Sequence, residues 1–287
     1  MCIRDRNDTA TRPSLSFEFF PPKDDAGIDR LMSGTASRLS AFDPEYFSVT
    51  SGAGGSTREG TQALVEKLVR SGANAVPHLS VGGSTDAEVG RLVEHYRNLG
   101  IQRILCLRGD QPSDGNQHTV FARDLVEQLH QRFPGQFELS VAAYPEIHPD
   151  SASAEEDMRY FAAKVHAGAS SAITQYFYSP DAYEYFMERC EKAGVHIPVH
   201  VGVMPITNID SLQRFSAKAG ADIPRWLSKS MAGYADDEKG LVSFGVEVVT
   251  NLCEKLLTMG APGLHFYTLN RWGASSQICR NLGFPEH

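Results

Sequence analysis

The sequence predicts an α/β fold, a (β/α)8 barrel with extra helices after its seventh strand. Three observations lead there. Short β-branched and aromatic runs alternate with longer amphipathic ones, and eight such runs can be counted. Most of them are almost continuously apolar, as parallel strands covered on both faces are. Their ends fall near positions 18, 50, 78, 110, 144, 175 and 203, a spacing of about 30 residues that matches one βα unit.

The expected strands are Leu15–Phe20, Tyr46–Thr50, Ala75–Leu79, Arg103–Leu107, Phe137–Ala143, Ser171–Tyr178, Ile197–Val203 and Gly263–Thr268. Between them, Thr61–Ser71 sets Leu64, Val65 and Leu68 on one stripe, Ala87–Leu99 does so with Val89, Leu92, Val93 and Tyr96, and Ala122–Arg132 with Leu125, Val126 and Leu129. Such stripes at helical spacing predict helices packed on a sheet. Glu155–Ala167 and Asp181–Ala193 continue the series. Gly72, Gly100, Gly168 and Gly194 follow the stripes, where a helix C-cap takes positive φ. The long interval after position 203 should hold two or three helices, including Ser211–Ala219 and Gly240–Met259. An open doubly wound sheet competes, but it carries a glycine-rich fingerprint after its first strand. Here that strand ends in Glu18-Phe19-Phe20-Pro21-Pro22. Residues 13–287 read as one catalytic domain behind a disordered lead-in over 1–12.

Composition narrows the function. The chain has 287 residues, with 27 Lys and Arg against 35 Asp and Glu, a net charge of −8. A basic patch for nucleic acid is missing, as is an apolar run of about 18 residues that would span a membrane. The start has no signal-peptide core, so a cytoplasmic location is expected. The five cysteines are scattered without a Cys-x-x-Cys pair, which suggests free thiols.

In a barrel the active site lies at the carboxyl ends of the strands. The polar residues expected there are Glu18, Thr50, Ser51, His78, Arg108, Asp110, Tyr144, Glu146, His148, Thr174, Gln175, Tyr267, Asn270 and Arg271. Glu18 lies among Phe17, Phe19 and Phe20. A poorly hydrated carboxyl has a raised pKa and suits a general acid; a strand-end cap or a partner for a lysine is the plainer reading. Arg108 and Asp110 flank Gly109 in a tight turn and suit a phosphate and a heterocycle, or a surface ion pair. His78 and His148 suit hydrogen-bonded structural or cofactor contacts better than metal ligation, since no His-Glu-x-x-His motif is present. Lys164, on a helix, suits a phosphate contact or a solvated charge. Residues 51–56 form a glycine-rich stretch that is either a lid or a plain loop.

Seven blocks in order carry a resemblance: Ser16-Phe17-Glu18-Phe19-Phe20-Pro21-Pro22, Ser48-Val49-Thr50, Pro77-His78-Leu79, Leu107-Arg108-Gly109-Asp110, Ala142-Ala143-Tyr144-Pro145-Glu146-Ile147-His148-Pro149, Ala172-Ile173-Thr174-Gln175 and His265-Phe266-Tyr267-Thr268-Leu269-Asn270-Arg271. From about residue 14 to 285 the chain resembles the methylenetetrahydrofolate reductases. The resemblance implies an FAD-containing barrel that reduces 5,10-methylenetetrahydrofolate to 5-methyltetrahydrofolate with NADH or NADPH, by ping-pong hydride transfer, in one-carbon metabolism and methionine biosynthesis. It also implies a homo-oligomer, small-molecule partners and no resident metal.

Residue by residue, the resemblance implies that Glu18 is the general acid and Asp110 the carboxylate beside flavin and pterin. Gln175 and Phe215 would contact folate and nicotinamide, and Tyr267 and Arg271 the substrate. Thr50, His78, Arg108, Gly109, Asp110, Phe121, Ala122, Ala142, Tyr144, His148, Asp157 and Lys164 would contact FAD. The chain departs from the family pattern at Ser51, Tyr160 and Ala163, the last removing an arginine that would pair with a phosphate. A proline-dehydrogenase-like flavin barrel, a lyase or aldolase barrel and a non-catalytic binding barrel are the other readings weighed.

Overall fold

The computed structural model describes residues 12–51, 57–80, 85–109 and 121–287. The expected lead-in lies outside these but for Arg12, as do Asp110 and most of the glycine-rich stretch after Ser51. Eight strands are present: β1 Ser14–Phe19, β2 Tyr46–Val49, β3 Ala75–Ser80, β4 Arg103–Leu107, β5 Glu138–Ala143, β6 Ser171–Thr174, β7 Val199–Val203 and β8 Gly263–Tyr267. All pair in parallel in chain order, and β8 returns to β1 to close a barrel, with Ser16 opposite His265 and Glu18 opposite Tyr267.

Helices follow the strands. They are α1 Asp25–Leu31, which runs through a π-helical turn at Met32–Ala36 into α2 Ser37–Ser40, then α3 Arg58–Arg70, α4 Asp86–Asn98, α5 Ala122–Arg132, α6 Ala154–His166 and α7 Pro180–Lys192. Three helices, α8 Ile209–Ala219, α9 Arg225–Ala232 and α10 Glu238–Thr258, fill the long interval before β8, and α11 Gly273–Asn281 follows it. Side-chain caps start several of them: Thr85 and Glu88 form a reciprocal capping box on α4, and Ser153 caps α6. Gly72, Gly100, Gly168 and Gly194 all have positive φ, as their place after the stripes predicts.

Strand β6 stops at Thr174, not at Tyr178 as the apolar run suggests. Tyr176, Phe177 and Tyr178 are buried by packing rather than by pairing: the Tyr176 hydroxyl meets Ser216 Oγ at 3.0 Å, and the Tyr178 hydroxyl donates to Met204 O at 3.1 Å. Periodicity alone does not separate these two ways of burying a run. The α1–α2 segment is absent from the sequence reading: its two glycines and four serines or threonines weaken local helix propensity, although Ile28, Leu31, Ala36 and Leu39 are buried.

Alternate strand residues face opposite sides of the sheet. One set, including Phe17, Phe19, Phe47, Val49, Val201 and Phe266, packs outward under the helices in the main core. The other set points into the barrel, where Tyr46, Val76, Leu105 and Ile173 form a separate small cluster. The rest of the interior is polar: Ser16, Glu18, Ser48, His78, Ser140, His200 and His265 are all buried.

Gly202 on β7 shows why the interior needs a gap. Tyr267 reaches across it from β8 to donate its hydroxyl to Thr174 O on β6, at 2.7 Å. A Cβ on Gly202 would lie 2.1 Å from that carbonyl and 2.7 Å from the tyrosine ring. Backbone on one side and a hydrogen-bonded ring on the other leave no room to yield. Gly202→Ala is therefore expected to destabilise the fold by about 2 kcal/mol, in the range of overpacked cores. Urea unfolding checks this, and an unchanged midpoint would count against the cross-brace.

Candidate active site

The carboxyl ends of β1, β3 and β8 bring Glu18, His78 and His265 together. Glu18 Oε2 lies 3.4 Å from His78 Nε2 and 3.5 Å from His265 Nε2. Glu18 is 7% exposed and His265 fully buried. Burial pushes the Glu18 pKa up, and His78 opposes only in part. Burial also drives the imidazoles down, to about 4 at His78 and about 3 at His265. Both rings are neutral near neutral pH, so these contacts are not ion pairs, and desolvation shifts the Glu18 carboxyl toward its protonated form. Below it, His265 Nδ1 meets Ser16 Oγ at 2.8 Å, and Nε2 lies 3.4 Å from Ser48 Oγ.

The cause of that shift differs from the expected one. Phe17 and Phe19 flank Glu18 in sequence but face the outer core, stacked with Phe47. The carboxyl loses its water to the interior of the barrel, among His78, His265 and Ser48. The signal for this was the alternating polar series Ser16, Glu18 on β1 and His265, Tyr267 on β8. The continuous apolar reading of the strands concealed it.

A second cluster forms at the ends of β4 and β5 against α6. Arg108 pairs with Asp150 at 2.7 Å, and the Asp150 N–H donates to His148 Nδ1 at 3.0 Å. The Tyr144 and His148 rings meet at 4.5 Å between centroids, at an interplanar angle of 62°. Ser151 donates to Asp157 at 3.2 Å. Lys164 reaches Ala142 O at 2.5 Å, and desolvation pulls its pKa down to about 8, against the attraction of Asp157. It is a covered ammonium, not a solvated charge. Ile147 has φ +73°, a left-handed conformation strained for a β-branched residue. This strained turn carries His148 and Glu146, whose pKa burial raises to about 6 while the Asp222 N–H donates to it.

Tyr267 packs edge-on against His265 at 5.4 Å and against Tyr176 at 6.3 Å between ring centroids, and burial pushes its hydroxyl pKa up. Gln175, at the end of β6, accepts with its side chain from the Tyr176 N–H at 3.0 Å. Through the Tyr176–Ser216 contact, the residue after Gln175 meets the residue after Phe215 on α8. Thr50 is buried beyond β2, and Gly109 has φ +86° beside Ser80. Phe121 and Ala122 start α5, with Phe121 49% exposed. Arg271 is exposed beyond β8. Asp110 lies outside the described residues.

This arrangement fits a polar, anionic ligand. Among the described residues, Thr50 Oγ1 and His78 Nε2 are buried polar atoms without a hydrogen-bond partner, and such atoms call for a ligand or water. The desolvated Lys164 and the nearby Arg108 suit an anion. No helix among the described residues is long and apolar enough to cross a membrane.

Comparison with known proteins gives the arrangement a family. The family model described as Methylenetetrahydrofolate reductase matches residues 3–283. The 5,10-methylenetetrahydrofolate reductase of Escherichia coli (strain K12) is 35% identical over 271 residues, covering 94% of this chain and 90% of that protein. The enzyme of that name from Buchnera aphidicola subsp. Acyrthosiphon pisum is 38% identical over 269 residues, covering 93% and 91%. Among solved structures, an uncharacterized protein from Clostridium thermocellum that binds two copies of 5-methyl-5,6,7,8-tetrahydrofolic acid shares the fold, with a TM-score of 0.66, 15% identity and 94% of both chains covered.

Lys164 yields a test of the anion cradle. A lysine whose folded pKa is about 8 binds fewer protons than the unfolded chain between there and the ordinary lysine range near 10.4. Stability contributed by this group is flat below about pH 8 and rises as the pH climbs toward about 10. Lys164→Met is expected to remove a rise on the order of 3 kcal/mol, read by urea unfolding of cofactor-free protein across that window. A rise that survives in the variant would refute the covered ammonium.

Proposed function

Since the chain belongs to the methylenetetrahydrofolate reductase family, whose reaction reduces methylenetetrahydrofolate to methyltetrahydrofolate, we propose that it does so with bound FAD and with NADH or NADPH as electron source, in a ping-pong cycle. The observation that carries this reading is Glu18, a buried carboxyl with a raised pKa at the barrel mouth. Bound FAD would supply the hydride-transfer chemistry that links the nicotinamide to the folate's one-carbon unit.

The chain's own residues supply orientation, exclusion of water and a proton. Arg108 and Lys164 would face the phosphates of the cofactor, with Ala142, Tyr144, His148 and Asp157 closing that side. Phe121, Ala122 and Gly109 would border it, and Thr50 and His78 would meet the polar edge of the flat ring. Asp110 would sit beside flavin and pterin. Gln175 and Phe215 would hold folate or nicotinamide in turn, a shared face that supports the ping-pong order. Tyr267 would offer its ring, since its hydroxyl is held by Thr174, and Arg271 a rim cation.

Glu18 would deliver its proton to the nitrogen that leaves the carbon when the folate's five-membered ring opens. That task is helped by a carboxyl that keeps its proton above the ordinary carboxylate range, and burial shifts Glu18 in that direction. The acid is active in its protonated form, so the folate half-reaction should slow as pH rises through the raised Glu18 pKa. The nicotinamide half-reaction needs no such proton and should lack that limb.

Two measurements test the reading. Purified protein is expected to show flavin absorbance that NADH or NADPH bleaches without oxygen; a colourless protein indifferent to FAD would overturn the cofactor assignment. Glu18→Gln should slow folate reduction by about 10²- to 10⁴-fold and leave flavin reduction by the nicotinamide nearly intact. Anaerobic stopped-flow separates the two steps, and an equal loss in both would remove the acid role.

A further inference from the structure

A general acid has to be held still without its proton being tied up. Glu18 Oε2 has two long imidazole contacts, 3.4 and 3.5 Å, at or beyond the usual hydrogen-bond range. What fixes Glu18 is its backbone, and the grip comes from side chains just past β8. Thr268 Oγ1 donates to Glu18 O at 2.6 Å. The Asn270 carboxamide takes both backbone groups of Phe20: the Phe20 N–H donates to Oδ1 at 2.9 Å, and Nδ2 donates to Phe20 O at 2.8 Å. The β1–β8 ladder ends at Glu18 opposite Tyr267. Beyond it, side chains continue the pairing.

Asn270 is itself firmly set. Leu269 and Asn270 have φ +50° and +58°. Its N–H donates to Thr268 Oγ1 at 3.1 Å, and its carbonyl accepts from Thr35 Oγ1 at 3.0 Å. Thr35 lies in the π-helical turn Met32–Ala36, a feature that often marks functional sites. Left-handed backbone is tolerated by Gly, Asn and Asp. Among these, Asn alone offers both a donor and an acceptor to a backbone. The position therefore requires two properties that one residue type combines.

We propose that Asn270 and Thr268 are positioning residues for Glu18, holding its carboxyl within reach of the folate through the main chain and leaving its proton free. The proposal rests on Glu18 being the general acid. A donor has to come within about 2.6–3.2 Å of the atom it protonates, and a displacement of about 1 Å can cost about 100-fold in rate. The same bonds also close the barrel seam, so the test has to separate positioning from simple stability.

Four variants do so. Asn270→Gly keeps the left-handed backbone and removes both bonds. Asn270→Asp keeps the acceptor and sets a second acceptor against Phe20 O. Thr268→Val removes the hydroxyl, and Thr268→Ser restores it. Each is measured as holoenzyme by anaerobic stopped-flow of both half-reactions against pH, with thermal unfolding alongside. The expected result for the first three is a fall of about 10- to 100-fold in the folate step, in its limiting rate more than its KM, with a displaced pH limb and flavin reduction within about twofold of the parent. Thr268→Ser should recover most of the loss. Parallel loss of both half-reactions, or an unmoved folate step and pH limb, overturns the proposal. If Asn270→Gly does not fold, Asn270→Asp and the Thr268 pair decide. Glu18→Gln is run beside them: failure to show a selective folate defect there sinks the acid reading itself, whereas a selective defect there without one in these variants sinks the positioning role alone.

Discussion

A closed ring of parallel strands has an inside that water scarcely enters, and alternate residues of every strand must live there. In this chain the inside of the mouth is given to a carboxyl, two imidazoles and several hydroxyls. Isolated charge in such a place is expensive, and ionisable groups respond by becoming neutral. Burial raises the Glu18 pKa and lowers those of His78 and His265. The acid is thus not activated by a special partner. It is a consequence of which face of β1 it occupies in a barrel that closes β1 against β8.

The mouth divides into two chemistries. On the β1, β3 and β8 side lies the desolvated Glu18 carboxyl with neutral rings. On the β4 and β5 side, backed by α6, lie Arg108 and the covered Lys164. Tyr267 is pinned across β7 by its bond to Thr174 O, a path open only because position 202 is glycine. The first side suits proton delivery and the second suits phosphate. Membership of the methylenetetrahydrofolate reductase family supplies the reaction, and the mechanism proposed for it would use both sides.

Much of the fold was legible. Arg103–Leu107 and Ala122–Arg132 stand where apolar runs and stripes put them, and four glycines cap helices with positive φ. These are local properties, fixed by a period and by one residue's backbone freedom. The α1–α2 segment was not read, because its two glycines and four serines or threonines weaken local helix propensity and a π-helical turn interrupts its regular period. Strand β6 was read too long, because burial by a neighbouring helix resembles burial in a sheet. In the site, Glu18, His78, Arg108 and Lys164 were nameable from the motifs. Ser16 and His265 stood in the motif blocks without a role, and the gap at Gly202 was not signalled, since their importance lies in what stands opposite them.

The sequence by itself determined the number and order of the strands, the family motifs and the presence of a carboxyl at the end of the first strand, because these follow from patterns within a few residues or from blocks in series. Only the tertiary structure decided which side of that strand the carboxyl takes, what removes its water, and that side chains about 250 positions away grip its backbone. Those facts depend on barrel closure, which brings the two ends of the chain into register, and no short-range pattern encodes that meeting.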